Sequence, residues 1–215
     1  MLRRRRQTFR LLETRRAVGY LVGLAGIAVW LYVLHALKRA DLRFWRFLVG
    51  AVGLFVILMF YVRPWATQPL AQAVAAIAGL PGWLTGTFEA YFKYGVLFVD
   101  SASGAMTLKI DFECSGIVEI MAFVSLLAFF GVYTKPERVM VGIAGSLFIV
   151  LANVLRMVLI AEIIHFGGPD TYYLAHSLFG RLVFYALTVA LYFYVFTKPQ
   201  VVRMHVGRFT YDDAA

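Results

Sequence analysis

VMVGIAGSLFIVLANVLRMVLIAEIIH, the stretch Val139–His165, carries only Arg156 and Glu162 as charged side chains. An α-helix rises about 1.5 Å per residue, so about 20 residues cross a hydrocarbon core of roughly 30 Å. This stretch is long and apolar enough to be a membrane helix. Five further runs read the same way: Ala17–Leu37, Leu42–Val62, Trp65–Leu84, Cys114–Tyr133 and His176–Phe196. Gln68, Pro69, Gln72 and Pro81 make Trp65–Leu84 the weakest, open to a re-entrant or interfacial reading. The whole composition agrees. Of 215 residues 61% are apolar and 15% charged, and the mean hydropathy is +0.76, against roughly 45–50% apolar and about 25% charged in a soluble domain. The expected fold is an all-α integral membrane protein. It forms one membrane-embedded domain over 1–215, a bundle of about six transmembrane helices with a small extracytoplasmic β-hairpin.

The net charge of +9 does not imply a nucleic-acid partner, because of where the charge lies. Seven of the 21 basic residues (Arg3, Arg4, Arg5, Arg6, Arg10, Arg15 and Arg16) precede the first apolar run. Such a cluster reads as a cytoplasmic anchor beside anionic lipid. Ala17–Leu37 is too long for the apolar part of a signal peptide and lacks a clear small-residue cleavage site. With both termini cytoplasmic, residues 1–16 and 197–215 lie inside and 85–113 outside. Lys38, Arg39, Arg43 and Arg46 then fall outside, against the positive-inside rule. Within the outer segment Met106, Leu108, Ile110 and Phe112 alternate with Thr107, Lys109, Asp111 and Glu113. Tyr94, Val96 and Phe98 alternate more weakly, and Ser101–Gly104 supplies a turn, which together predict the hairpin.

Three chemically distinctive side chains approach the outer leaflet. Cys114, the sole cysteine, opens the fourth run. Arg156 lies about 15 Å from the outer end of the fifth, by helical rise. His176 opens the sixth. A lone membrane cysteine is most often a small apolar residue, and a histidine at a helix start is most often interfacial. An arginine near mid-membrane costs roughly 2.5–3.5 kcal/mol on insertion scales and tends to face a bundle interior or wet cavity. Together the three side chains suit acyl transfer. A cation lowers the thiol pKa, an imidazole moves its proton, and a guanidinium holds the oxyanion. Asn153 shares a helix face with Arg156 and either orients it, contacts substrate or forms a plain interhelical hydrogen bond. Glu119 and Glu162 are candidate partners for Arg156. Arg181 is close enough to its helix end to snorkel. His35 and His165 read as interfacial, and Glu113 is expected to point away from the thiol or pair with a cation. No ligand cluster is spaced for a metal, and no organic cofactor is expected.

The segments Glu113-Cys114-Ser115-Gly116-Ile117, Asn153-Val154-Leu155-Arg156 and His176-Ser177-Leu178-Phe179-Gly180 resemble motifs of the exosortase/archaeosortase family. The ending Tyr194-Val195-Phe196-Thr197-Lys198-Pro199-Gln200 is similar to the short exosortase-like branch of Gram-positive bacteria. The resemblance implies a multi-pass cysteine peptidase or transpeptidase acting on C-terminal sorting signals of exported proteins. Cys114 would be the nucleophile, Arg156 the stabilising cation and His176 the third catalytic residue, with Ser115, Asn153, Glu119 and Arg181 in supporting places. The implied partners are membrane proteins with a C-terminal motif, helix and basic tail, with a lipid or glycan as acceptor. The competing expectation is a small transporter or lipid-binding scaffold in which Arg156 binds an anionic group.

Overall fold

The computed structural model describes residues 23–201. The N-terminal arginine cluster, the first six residues of the Ala17–Leu37 run, and the tail from residue 202 with Arg203 and Arg208 lie outside the described residues. Helix α1 (23–39) and helix α2 (Arg43–Tyr61) form an antiparallel pair. The Trp30 indole donates to the Val49 carbonyl at 2.9 Å, and Gly53 leaves room for that ring. Helix α4 (Ile117–Phe129) packs along α2 through the Phe129 ring on Gly50. Helix α5 (Lys135–Gly167) packs on α4 where Gly145 receives Phe123. Small residues bring helices this close in lipid, where the hydrophobic effect does not drive them together. Thr134 and Glu137 close a capping box at the start of α5, supplying partners for its first amides. Helix α6 (Pro169–Val201) opens with a tight turn at Pro169–Thr171 and carries π turns at Leu174–Phe179 and Phe193–Thr197.

Among the described residues, α2, α5 and α6 are long and apolar enough to cross a membrane, and α4 is a shorter apolar helix. At 33 residues, α5 is about 50 Å long by helical rise, well beyond a hydrocarbon core. Its two halves have different neighbours. Gly145 and Ile149 join a cluster around Phe123 and Phe184. Val154, Met157, Ile160, Ala161 and Ile164 join a second cluster with helix α3 (Arg63–Thr85) and a sheet.

That sheet is a three-stranded antiparallel meander: β1 (Phe88–Tyr91), β2 (Val96–Ser101) and β3 (Gly104–Lys109). The expected hairpin is β2–β3, with Ser101 opposite Gly104 at the turn. Strand β1 was not foreseen. The phase of β2 also differs from expectation, since Leu97 and Val99 are fully buried while Phe98 is exposed. The inward face of β2 packs on α3 and α5, so its apolar residues are the ones between those the weak alternation picked out.

The six-crossing arrangement requires correction at α3. It put Arg63 and Phe112 at opposite ends of the bundle, yet the Arg63 guanidinium lies 4.0 Å over the Phe112 ring. The chain turns back after α3: Gly82 meets Phe88, Gly79 meets Ala90, and Gly95 lies on Ala71. Gln72 Nε2 also donates to the Lys93 carbonyl at 2.8 Å. Ala71, Val74, Ala75, Ala78 and Gly82 form the buried stripe of α3. The low hydropathy of this segment reflects small residues that seat a sheet. Gly23 packs at Tyr61, whereas Phe47, Phe130 and Gln200 line one hollow. Residue 23 is therefore at the Arg63 end, and Val201 at the other. The Lys38–Arg46 stretch accordingly lies at the same end of the bundle as Phe130 and Arg138, whose guanidinium donates to the Phe130 carbonyl at 2.9 Å.

Candidate active site

Cys114 lies in the turn before α4, which starts at Ile117. The turn is built by short polar side chains. Asp111 Oδ1 accepts from the backbone amides of Glu113 and Cys114 at 3.0 and 3.1 Å, an Asx turn. Ser115 Oγ donates to the Phe112 carbonyl at 3.1 Å and accepts weakly from the Ile117 amide at 3.4 Å. Gly116 has φ +79°, a left-handed conformation that β-carbon-bearing residues rarely adopt. Asn153 on α5 then ties the turn to the bundle, its Nδ2 donating to the Cys114 carbonyl at 2.6 Å.

Arg156 lies one turn further along α5 and faces the same turn. Its Nη2 is 3.9 Å from Cys114 Sγ, and both residues are buried. The guanidinium sits 5.7 Å from the centre of the Phe184 ring on α6. Among the described residues no carboxylate comes within ion-pair distance of Arg156, and its Nε is buried without a partner. A buried cation left without a carboxylate holds strong attraction for any negative charge that develops nearby. Burial nevertheless governs the resting thiol. It pushes Cys114 up to about 11, Arg156 pulls it down, and Asp111 and Glu113 push it up again. Arg156 lowers the thiol as expected, but desolvation outweighs one guanidinium and the resting thiol is protonated.

His176 is placed near the site but outside contact. It lies in the first π turn of α6, half-buried, with its ring stacked on Tyr172 at 5.3 Å. No hydrogen bond joins it to Cys114 among the described residues. Glu162 does not meet Arg156. It accepts from Thr87 Oγ1 at 2.8 Å and Thr85 Oγ1 at 3.3 Å, tying α5 to the end of α3. Glu119 stays unpaired with Arg156, and its Oε2 is buried without a partner. Arg181, Glu113 and His35 are exposed, and His165 bonds the Asp100 carbonyl of β2 through Nδ1.

A model of the transmembrane exosortase family matches residues 5–194. The chain belongs to the transmembrane exosortase family. Neither a curated protein nor a solved structure matches it.

In this exosortase the residues brought together are Cys114, Arg156, Asn153 and Ser115, joined by Asp111. Sequence reasoning missed Asp111. Its signal was available, since an aspartate two and three residues before an amide is the pattern of an Asx turn. Arg63 was missed as well, because its neighbour Phe112 had been assigned to the opposite end.

Proposed function

We propose that this exosortase is a membrane cysteine peptidase or transpeptidase that processes C-terminal sorting signals of exported proteins at the extracytoplasmic face. The observation that carries the reading is the buried pair itself, a thiol and a carboxylate-free guanidinium 3.9 Å apart on elements 42 residues apart in the chain. The Cys114 proton passes to His176 through one bridging water as the sulfur attacks the scissile carbonyl. Arg156 stabilises the resulting oxyanion in a low-dielectric site, where such contacts are strongest. The protonated His176 gives that proton to the leaving amine, and a thioester remains on Cys114. Water, or a lipid or glycan nucleophile, then releases the acyl group and returns the thiol.

The extracytoplasmic placement rests on the exosortase family, whose sorting signals belong to exported proteins. An open-edged sheet bearing exposed Lys93, Asp100 and Lys109 does not sit in hydrocarbon, so α3 lies with it outside the core, and α1, α2, α4, α5 and α6 make the crossings. Lys38, Arg39, Arg43, Arg46, Lys135, Arg138 and Lys198 then flank the end away from Cys114, against Arg63, Lys93 and Lys109 on its side. Among the described residues the count is seven against three, which relieves the Lys38–Arg46 stretch. The seven arginines of 1–16 precede a helix whose residue 23 is at the Cys114 end, and count for that end. Five crossings put the termini on opposite faces, against the expectation of two cytoplasmic ends, and the positive-inside rule does not choose the face.

The test replaces Cys114 with alanine and scores processing of a co-expressed protein carrying a C-terminal motif, helix and basic tail. Loss of processing by a correctly inserted variant is expected; unchanged processing overturns the reading. The unpaired Arg156 also suits an anion-binding scaffold, which predicts that Cys114→Ala is silent and Arg156→Gln is not.

A further inference from the structure

The sheet has two edges, and one of them is covered. Ile110 donates its backbone N–H to the Gly95 carbonyl at 2.9 Å, which extends the β2–β3 register by one hydrogen-bonded pair. Such pairs alternate along an antiparallel ladder, so Leu108 bonds Leu97, Met106 bonds Val99 and Gly104 bonds Ser101. Ala105, Thr107 and Lys109 therefore turn their N–H and C=O groups away from β2. All three residues are exposed, and among the described residues nothing pairs with these groups. On β1 the outward groups belong to Phe88 and Ala90, and Gly82 and Gly79 of α3 lie against them. A free edge is commonly blunted by proline, a bulge, charge or a cover. β3 has neither proline nor bulge, and Lys109 is its one charge.

The free edge leads to the nucleophile. The β2–β3 turn lies at the end of α5, where Ser103 packs on Gly168 and His165 bonds the Asp100 carbonyl. Asn153 holds Cys114 about 20 Å back along the same helix, by helical rise. β3 thus runs toward the bilayer, and Cys114 follows it after one short turn.

These edge groups match a partner that offers N–H and C=O at strand spacing, about 3.3 Å per residue. An extended polypeptide does so, and a lipid or glycan does not. Whatever pairs here is presented to Cys114, so the occupant is the chain to be cut. A second copy of this protein brings its own β3 and no scissile bond.

We propose that the extended motif preceding the substrate's membrane helix joins the sheet as a fourth strand, bonding the backbone of Ala105, Thr107 and Lys109. Both chains run from the exterior toward the bilayer, so the added strand is parallel to β3. Pairing along this edge feeds the next peptide bond onto Cys114. Main-chain bonds then supply affinity, and alternate side chains of the motif supply specificity. This rests on the peptidase reading, and its test separates the two.

Thr107→Pro removes one outward N–H and keeps the bonds to β2, because an edge strand accepts proline where its nitrogen faces outward. The probe is a tagged, co-expressed protein with a C-terminal motif, helix and basic tail. Its processing is expected to fall about fivefold, while melting temperature and Cys114 alkylation by a small reagent keep their native values. Undiminished processing overturns the pairing. A second measurement needs no proline. Thr107→Cys, in a Cys114→Ala background, is oxidised with single cysteines stepped through the probe's motif. A disulfide to one position, weaker two residues to either side and absent between, is expected. Lys109→Cys is expected to capture a position two residues later in the motif; a position two residues earlier overturns the parallel strand. Equal capture at every position, or capture only of a second copy of this chain, overturns the pairing. Should Cys114→Ala abolish processing while Thr107→Cys captures no position, the pairing fails and the peptidase reading stands. Should processing survive Cys114→Ala, the peptidase reading fails whatever the disulfides.

Discussion

The Asn153 side-chain amide donates to the backbone carbonyl of Cys114 at 2.6 Å, so the turn that carries the thiol is held by the helix that carries Arg156. The carbonyl is buried, and removing its donor leaves it unpaired at a cost of roughly 1–3 kcal/mol. Asn153→Ala is therefore expected to lower the melting temperature in detergent and to reduce processing by loosening the Cys114–Arg156 approach. Unchanged melting and unchanged processing together would show that this bond does not matter.

The protonated thiol gives a pH profile measurable without any substrate, because Cys114 is the only cysteine. The thiolate is the species that reacts, and burial pushes this thiol up to about 11. Alkylation of the native protein, followed by intact mass, is expected to be slow at neutral pH and still climbing at pH 10. An unperturbed thiol would level off near pH 9. Since Arg156 pulls the thiol down, Arg156→Gln shifts the rise further to alkaline pH and slows labelling at pH 9.

Asp111 acts on the same thiol with the opposite sign, pushing it up. Asn at this position keeps an oxygen that accepts the Glu113 and Cys114 amides but loses the charge. Asp111→Asn is expected to speed alkylation at pH 9 without a loss of melting temperature. Asp111→Ala, which also loses the turn, is expected to melt lower. Equal melting of the two variants would mean that the Asx turn adds no stability.

How much of this was readable from the chain depends on range. Arg156 stood out because a guanidinium inside an apolar run is conspicuous, and its distance from the helix end placed it near Cys114 before any coordinates. The partner of Glu162 was not readable, since α5 outruns the bilayer and its last turns meet Thr85 and Thr87 rather than the bundle interior. The ends were harder still. Sidedness read from alternating crossings turns on one segment, α3, which sets the faces of Arg63 and of the Lys38–Arg46 stretch together. Its alanines and glycines are equally consistent with a weak membrane span and with a sheet-bearing helix, and only the fold-back of β1 distinguishes them.

Sidedness has its own test. In a Cys114→Ser background, single cysteines at Ala102, in the β2–β3 turn, and at Asp41, between α1 and α2, are exposed to a membrane-impermeant maleimide in intact cells. Ala102→Cys is expected to label and Asp41→Cys to label only after permeabilisation. The reverse pattern would invert the bundle and place Cys114 at the cytoplasmic face.

Gly116 offers a last, purely conformational check on the site. Its φ of +79° lies in the left-handed region, where a β-carbon costs roughly 1–2 kcal/mol. A β-carbon here meets Asn153 only at ordinary contact distance, 3.6 Å, so backbone strain and not crowding sets the penalty. Asparagine tolerates this region better than alanine. Gly116→Ala is expected to lower both melting temperature and processing, and Gly116→Asn to recover part of each. If alanine is tolerated at native levels, the turn before α4 adopts another conformation, and Cys114 is not held against Arg156 in the way described.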